Sequence, residues 1–146
     1  MYRLIGIVGT SRPVTRAHPV IYRLTGGRWV FGNNFGVQNV IVTVTGRKTG
    51  KTREVPLFAF ADGNRMIVIG SNAGDHEPAW VGNLRANPDA RLRVGRRVRE
   101  VRARETDGDE RERMWAVAVA GYPGYRDYQA RTTRLIPVIA LEPPEA

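Results

Sequence analysis

The chain lacks the residues on which several common kinds of active site depend. It has no cysteine, which excludes disulfides, thiolate catalysis and cysteine-ligated zinc. The two histidines, His18 and His76, lie far apart in sequence and show no metal-ligand spacing. Serine occurs only at Ser11 and Ser71, so a Ser-His-Asp hydrolase has little to be built from. We therefore expect no resident metal, and the absence of cysteine suits a reducing cytoplasm.

Long apolar runs are also missing. No stretch approaches the roughly 20 apolar residues that a membrane-spanning helix needs. The apolar patch Leu4–Val8 is short and interrupted by Gly6, which argues against a secretory signal. We expect a soluble cytoplasmic protein, and 146 residues are enough for one domain with a real core.

Positive charge is what the chain has in excess. It carries 23 Lys and Arg residues against 14 Asp and Glu, a formal net charge of +9, and nearly all of the cations are arginine. This balance suits nucleic acid, anionic lipid or a small polyanion. Arginine-rich composition is also common in GC-rich genomes, so the charge alone leaves the class of partner open.

Four cations and two glycines meet in the segment 45–53, which reads Thr-Gly-Arg-Lys-Thr-Gly-Lys-Thr-Arg. Because it lies between two apolar β-like runs, Val40–Val44 and Val55–Phe60, it predicts a hairpin turn that is either solvated or binds an anion. It is close to a phosphate-binding P-loop. That motif, however, has four residues between its glycines and a helix after them, whereas this chain has three residues and a strand. We therefore reject a nucleotide triphosphatase.

Apolar periodicity predicts an α+β domain on a mainly antiparallel, six-stranded sheet that can curl into a barrel. A third strand, Met66–Ile69, follows the hairpin signal Asp62-Gly63-Asn64. Next comes a short helix that begins near Pro78 and stops at Asn87-Pro88, with Trp80 and Leu84 on one face.

The second half of the chain predicts two strands within residues 90–105, a helix and a final strand at Leu135–Leu141. In the two predicted strands of residues 90–105, the alternation of apolar residues shifts by one position between Val98 and Val101. This shift predicts a bulge near Glu100. The arginines of this pair have few aromatic residues between them, so a half-exposed hairpin explains them better than a nucleic-acid surface.

Two parts of unequal regularity are expected, an N-terminal helical or irregular segment at residues 1–36 and a single barrel domain at residues 37–146. Within the first, Pro13–Leu24 has helical spacing of its apolar residues. The segment either packs over the barrel as a cap, which we favour, or rests as a basic, aromatic-bearing segment on a membrane surface.

Three phenols fall within seven residues at Tyr122, Tyr125 and Tyr128. They offer hydroxyl groups for hydrogen bonding and flat apolar rings for stacking. Tyrosines at this spacing are, taken alone, more often packing residues than ligand-binding ones.

Together these segments resemble the deazaflavin-dependent nitroreductases and quinone reductases of actinobacteria, which use reduced coenzyme F420 and adopt a split β-barrel related to flavin-binding oxidases. The similarity runs from about Val40 to Pro143. It rests on three motifs in the same order, which are Thr45-Gly46-Arg47-Lys48-Thr49-Gly50 with Arg53, Pro78-Ala79-Trp80 with Asn83-Leu84 and Ala86-Asn87-Pro88, and Tyr122-Pro123-x-Tyr125-x-Asp127-Tyr128-Gln129.

The resemblance implies that the basic turn binds the phosphate and γ-glutamyl tail of F420. It also implies that the loop after the third strand and the following helix bound the deazaflavin ring. The implied cofactor-binding residues are Thr43, Arg47, Lys48, Thr49, Gly50, Lys51, Thr52, Arg53, Ser71, Asn72, Ala79, Trp80, Val81, Asn83 and Tyr125. For Trp80 a core position remains the alternative, and the choice of F420 over FMN rests on the resemblance alone.

The implied activity is transfer of a hydride from reduced F420 to a quinone or nitroaromatic acceptor. The implied catalytic residues are Tyr125, Tyr128 and Ser71, and the implied acceptor-binding residues are Phe58, Tyr122, Tyr125 and Tyr128. Phe58 stands where the best-known relative has a tyrosine, which favours quinones over bicyclic nitroimidazoles. Asn72 stands where that relative has a lysine.

The alternative function is a non-catalytic one. The chain would then be an F420-binding module, or a basic adaptor for anionic lipid or nucleic acid. We expect no nucleic acid, and peripheral contact with the inner face of the cell membrane is the alternative to the favoured capping role of residues 1–36.

Overall fold

The structure is a computed structural model that describes residues 37–74 and 76–144. The predicted N-terminal segment 1–36, with its helix and its membrane or capping role, lies outside the described residues. The elements are β1 Val37–Thr45, β2 Thr52–Asp62, β3 Arg65–Ile69, a short 3-10 helix Asn72–Gly74, α1 Ala79–Ala86, β4 Asp89–Val94, β5 Arg97–Glu105, α2 Gly108–Gly121, α3 Gly124–Ala130 and β6 Val138–Glu142.

The six strands close into a barrel in the order β1-β2-β3-β6-β5-β4, and each neighbouring pair is antiparallel. Closure leaves no unpaired sheet edge. The predicted α+β barrel of six strands is therefore confirmed, as is the hairpin signal after β2, where Gly63 turns the chain with a φ of +62°.

Side chains that point inward fill the barrel, and α1 completes this inner core. The alternation along β1 places Val40, Val42 and Val44 inside. From α1, Trp80 and Leu84 join the same buried cluster, so the predicted apolar face of this helix is confirmed.

A second core lies outside the barrel, under α2 and α3. The outward faces of β2 and β3 contribute Phe60 and Ile67, and α2 contributes Met114 and Ala118. The three tyrosines also pack here, so the aromatic segment belongs to the outer core rather than to the barrel interior.

Two predictions of detail were wrong. The β4–β5 register is continuous from Asp89↔Arg102 to Val94↔Arg97, so there is no bulge near Glu100. The parity slips because Val98 is 49% exposed and does not belong to the core face.

The last strand begins later than predicted, at Val138 rather than Leu135. The backbone N–H and carbonyl of Ile136, which in a strand would pair with a neighbouring strand, instead form hydrogen bonds with side chains. Its N–H donates to Gln129 Oε1 and its carbonyl accepts from Arg111 Nη2.

In residues 37–74 and 76–144 no helix is long and apolar enough to cross a membrane. The same residues contain no cluster of three His, Asp or Glu side chains that could hold a metal ion.

Candidate cofactor and acceptor site

The basic segment comprises a tight turn between β1 and β2 and the first two residues of β2, and we call it the cationic turn (Gly46–Arg53). The Gly46 N–H donates to the Lys51 carbonyl and the Gly50 N–H donates to the Gly46 carbonyl, both at 2.8 Å. Gly50 has a φ of +70°, which a residue with a side chain adopts only with strain. A strand follows this turn, which agrees with the rejection of a P-loop.

This turn is fastened to α1 by one side chain. Arg47 Nη1 donates to Asn83 Oδ1 at 2.8 Å and to the Ala79 carbonyl at 3.0 Å. The backbone N–H of Arg47 donates to the same Asn83 oxygen at 3.1 Å. Residues from two of the three sequence motifs are thus brought into direct contact.

The cations of the turn are not neutralised within the part of the chain that the structure describes. Neither Arg47 nor Lys48, Lys51 or Arg53 forms an ion pair with an acid there, and all four side chains are exposed. Many other arginines do form such pairs, namely Arg65, Arg85, Arg91, Arg102, Arg104, Arg111 and Arg113. The turn therefore offers positive charge that an external anion can bind.

The beginning of α1 adds to this positive region. Pro78 is the N-cap residue, and its side chain accepts no hydrogen bond from the first turn. The first backbone N–H groups of a helix have no intrahelical partner, and they carry the positive end of the helix dipole. Since Arg47 reaches the Ala79 carbonyl, the cationic turn and this helix end are adjacent.

The loop after β3 is held by the segment that follows α3. Arg134 donates to the carbonyls of Gly70, at 3.3 Å, and Ser71, at 2.9 Å. Gly74 lies against α3 so closely that a Cβ there would be 2.6 Å from the Tyr128 carbonyl oxygen. The loop carrying Ser71 and Asn72 is thus fixed between α1 and the tyrosine segment.

The tyrosine segment forms one aromatic cluster with Phe58 and Phe60. The rings of Tyr122 and Tyr125 meet edge to face, with centroids 4.8 Å apart, and Phe58 packs against Tyr122 at 5.6 Å. The hydroxyls of Tyr122 and Tyr128 form a hydrogen bond of 2.8 Å. All three tyrosines are buried, so packing accounts for their spacing without a ligand.

Burial raises the pKa of Tyr125 well above its ordinary value of about 10. Tyr122 and Tyr128 raise it further, because each would repel the phenolate. Tyr125 is therefore a neutral phenol throughout the pH range in which proteins work, and its hydroxyl can donate a hydrogen bond but does not act as a base.

The structure places the other predicted site residues as follows. Trp80 and Val81 lie in the inner core, which is the alternative kept open for Trp80. Thr43 is half-buried in β1, where it is paired with Glu54 of β2, and Asn72 has a φ of +44° and donates from its side chain to the His76 carbonyl.

Sequence reasoning missed Gly82, which lies under the Arg47 guanidinium, and Arg134, which holds the loop after β3. A glycine inside a predicted helix was the available signal for Gly82. Nothing in the local pattern distinguishes Arg134 from the other arginines.

Comparison with known proteins supports the interpretation of this geometry. A protein family described as F420H(2)-dependent quinone reductase matches residues 14–143. Two proteins of Mycobacterium tuberculosis are similar over most of their length. One, provisionally named an F420H(2)-dependent quinone reductase, is 39% identical over 108 residues, covering 73% of this chain and 91% of that protein. The other, named F420H(2)-dependent quinone reductase, is 33% identical over 130 residues, covering 86% and 87%.

A solved structure described as an F420-H2 dependent reductase has 39% sequence identity with this chain and a TM-score of 0.68. It covers 77% of this chain and 99% of its own. The expected split β-barrel is therefore confirmed, and F420 is the cofactor that membership implies. The chain belongs to the F420H2-dependent quinone reductase family.

Proposed function

We propose that this chain is an oxidoreductase that transfers a hydride from reduced F420 to a quinone, with the cationic turn and the start of α1 as the cofactor site. When bound, reduced F420 supplies the hydride, and the protein binds and orients the reactants. The observation that carries the proposal is a group of cations, Lys48, Lys51 and Arg53, that have no acid partner among the described residues and lie next to the positive end of a helix.

The residues present fit the anionic tail of this cofactor. The tail bears a phosphate and γ-glutamyl carboxylates, and Lys48, Lys51 and Arg53 supply cations for charge-assisted hydrogen bonds. The first N–H groups of α1, at Ala79 and Trp80, add backbone donors. Ser71 and Asn72, which are candidates for contact with the deazaflavin ring, lie on the loop that leads to this helix.

We place the acceptor beside the aromatic cluster. Phe58 is partly buried against Tyr122 and presents an apolar wall, which suits a flat quinone ring. The proposal also concerns nitroaromatic acceptors. Because Phe58 carries no hydroxyl to orient a nitro group, we propose that bicyclic nitroimidazoles are poor substrates.

Proton donation to the reduced acceptor is assigned to a phenol. Tyr128 is the first candidate because its hydroxyl is already hydrogen-bonded to that of Tyr122, which can stabilise it as it gives up a proton. The raised pKa of Tyr125 makes it a donor of hydrogen bonds rather than a base. Ser71 is the weaker candidate. These roles stay predictions.

The test of the proposed function is steady oxidation of reduced F420 by the purified protein with menadione as acceptor. We expect turnover that depends on both reactants, and tight binding of F420 but not of FMN or FAD in parallel fluorescence titrations. Binding of F420 without turnover on any quinone would support the non-catalytic binding module instead. Salt-dependent retardation of DNA, with no F420 binding, would support a basic adaptor.

A cytoplasmic location with contact at the inner face of the membrane is a separate proposal, which concerns residues 1–36. Co-sedimentation of the full chain with anionic phosphatidylglycerol vesicles, but not with neutral phosphatidylcholine vesicles, is the expected result. No difference between the two kinds of vesicle would refute it.

A further inference from the structure

Arg47 differs from the other cations of the turn in what its side chain contacts. Both N–H groups of Nη1 are engaged on α1, one by Asn83 Oδ1 and one by the Ala79 carbonyl. The residue's backbone N–H is bound by the same Asn83 oxygen. Lys48 and Arg53 make no such contact within residues 37–74 and 76–144.

Asn83 is the residue that holds Arg47 in this position. The residue is 7% exposed on the buried side of α1, so the orientation of its side chain is constrained by packing. One amide oxygen receives two hydrogen bonds from a residue 36 positions earlier in the chain. A buried acceptor of this kind fixes a turn in place, because its two lone pairs define the direction of both donors.

Gly82 provides the space for the guanidinium. A Cβ at this position would lie 2.9 Å from Arg47 Nη1 and 3.1 Å from its Cζ. Glycine is otherwise a poor choice in the interior of α1, because alanine is the better helix former. The observed residue is therefore explained by close approach of the arginine side chain rather than by the needs of the helix.

We propose that Arg47 is a positioning residue, seated on Gly82 and Asn83, that holds the cationic turn against α1. Lys48, Lys51 and Arg53 then supply the charge that binds the anionic tail. This inference rests on the proposed function, since it names the device that prepares the same site. In the absence of ligand the seat orders the turn, so less conformational freedom is lost when the tail binds.

The first test is Gly82→Ala. The methyl group displaces only the far end of a flexible side chain, and alanine favours the helix, so we expect an unchanged or raised melting temperature. Affinity for F420, measured by fluorescence titration, should nevertheless fall about tenfold, the scale of one lost charged contact. Turnover at saturating reduced F420 should change little, because the ligand-binding lysines remain.

The second test separates position from charge with Arg47→Lys. Lysine keeps the charge but lacks the planar fork that reaches two acceptors. We expect this variant to bind F420 nearly as weakly as Arg47→Ala. If Arg47 acts instead by its charge, Arg47→Lys should bind nearly as well as the unsubstituted protein. Arg96→Ala is the matched control, since it removes an exposed arginine from the β4–β5 turn, away from α1.

A third readout needs no ligand. In Asn83→Ala the backbone N–H of Arg47 loses its acceptor, so its hydrogen exchange should accelerate, while the Gly46 N–H keeps its bond to Lys51. The double variant Arg47→Ala/Asn83→Ala should bind F420 no more weakly than Arg47→Ala alone, because the two residues act as one unit.

The two proposals fail in different ways. If the unsubstituted protein neither binds F420 nor oxidises its reduced form, the proposed function is wrong. If it does both, and Gly82→Ala and Asn83→Ala bind F420 as tightly as it does, the positioning role of Arg47 is wrong and the function stands.

Discussion

Two regions of this molecule are rich in arginine or lysine, and they treat the charge in opposite ways. In the first, the charged seam (Asp62, Arg65, Arg104, Glu110, Arg113 and Glu142), every cation is bound by at least one carboxylate. In the second, the cationic turn, no acid of residues 37–74 or 76–144 pairs with any of the four cations. The same chemistry therefore joins structural elements in one place and leaves charge for an anion in the other.

The seam connects α2 to three parts of the barrel. Arg65, on the β2–β3 hairpin, lies within 3.4 Å of carboxylates from Asp62, Glu110 and Glu142. Arg104 of β5 binds the last two of these as well. Side chains that are 18–27% exposed, as Asp62, Arg65 and Glu142 are, exchange part of their hydration for these contacts, so the network contributes more than isolated surface pairs do.

The largest effect is expected from removing the lysines of the turn. Lys48 and Lys51 are the only lysines in the chain. Replacing both by alanine should weaken F420 binding by about 2–4 kcal/mol, the sum of two lost charge-assisted contacts. The melting temperature should stay the same, because both side chains are exposed and neither forms a hydrogen bond or ion pair within residues 37–74 and 76–144. A fluorescence titration with F420 measures the first and a thermal melt the second, with Arg96→Ala/Arg97→Ala as the control of equal charge.

The opposite pattern is expected from Arg65→Ala. Asp62 and Glu142 lose a hydrogen-bonded cation at partly buried positions, so the free energy of unfolding should fall by about 1–3 kcal/mol. F420 affinity should not change. If urea denaturation found full stability with weakened F420 binding, the separation between the two regions would be wrong.

The pH dependence of folding should reside in the seam. Arg113 and Arg65 lower the pKa of Asp62, and Arg104 lowers the pKa of Glu110 and Glu142, relative to their ordinary values. Carboxyls whose pKa is lower in the folded state stabilise it above their unfolded pKa of about 4, and this stabilisation is lost as the pH falls through the folded values. Urea denaturation from pH 6 to pH 2 should therefore show a steeper loss for the unsubstituted protein than for Arg65→Ala, and equal slopes would contradict the assignment.

Smaller changes are expected outside both regions, where a substitution should alter quinone turnover without altering the affinity for F420. Tyr128→Phe removes a hydroxyl and leaves that of Tyr122 without this partner, at a cost in stability of about 1 kcal/mol. If the hydroxyl donates to the acceptor, quinone turnover falls severalfold while F420 affinity is kept. Tyr122→Phe is the companion variant, since it breaks the same hydrogen bond but keeps the Tyr128 hydroxyl, and its turnover should fall less. Equal turnover in both variants and the unsubstituted protein would make these tyrosines structural.

The smallest effect is expected from Phe58→Tyr, which adds one hydroxyl to the apolar wall. Turnover of a bicyclic nitroimidazole should change more than turnover of menadione, because only the nitro compound gains a donor that orients it. Parallel kinetics with both acceptors measures this. If the unsubstituted protein reduces the nitroimidazole as fast as the quinone, Phe58 does not select the acceptor, while the cofactor assignment is unaffected.

Local pattern was enough to predict the strands, the hairpin at Gly63 and the buried face of α1, because each depends on residues close together in sequence. The prediction of a bulge near Glu100 was wrong, because the exposed Val98 interrupts the alternation of apolar residues as a bulge would. Local pattern also could not predict the positioning role of Arg47. Its acceptor, Asn83, lies 36 residues away, and only the closure of the barrel under α1 brings the two together.

The positions of the tyrosines illustrate the same limit. Their spacing was visible, but not whether the hydroxyls face a ligand or each other. The structure joins those of Tyr122 and Tyr128 through the conformation of the chain at Pro123 and α3, which the sequence pattern does not determine.

The central claim is that the free charge of the cationic turn binds the tail of F420. The most direct test is the dissociation constant of F420 at increasing salt, for the unsubstituted protein, Lys48→Ala/Lys51→Ala and Arg96→Ala/Arg97→Ala. Salt screens exposed charges, with a Debye length of about 10 Å at 0.1 M and about 3 Å at 1 M. Affinity should therefore fall steeply with salt in the unsubstituted and hairpin-substituted proteins and only weakly in the lysine variant, so that the three converge at high salt. Equal salt dependence in all three proteins would contradict the claim.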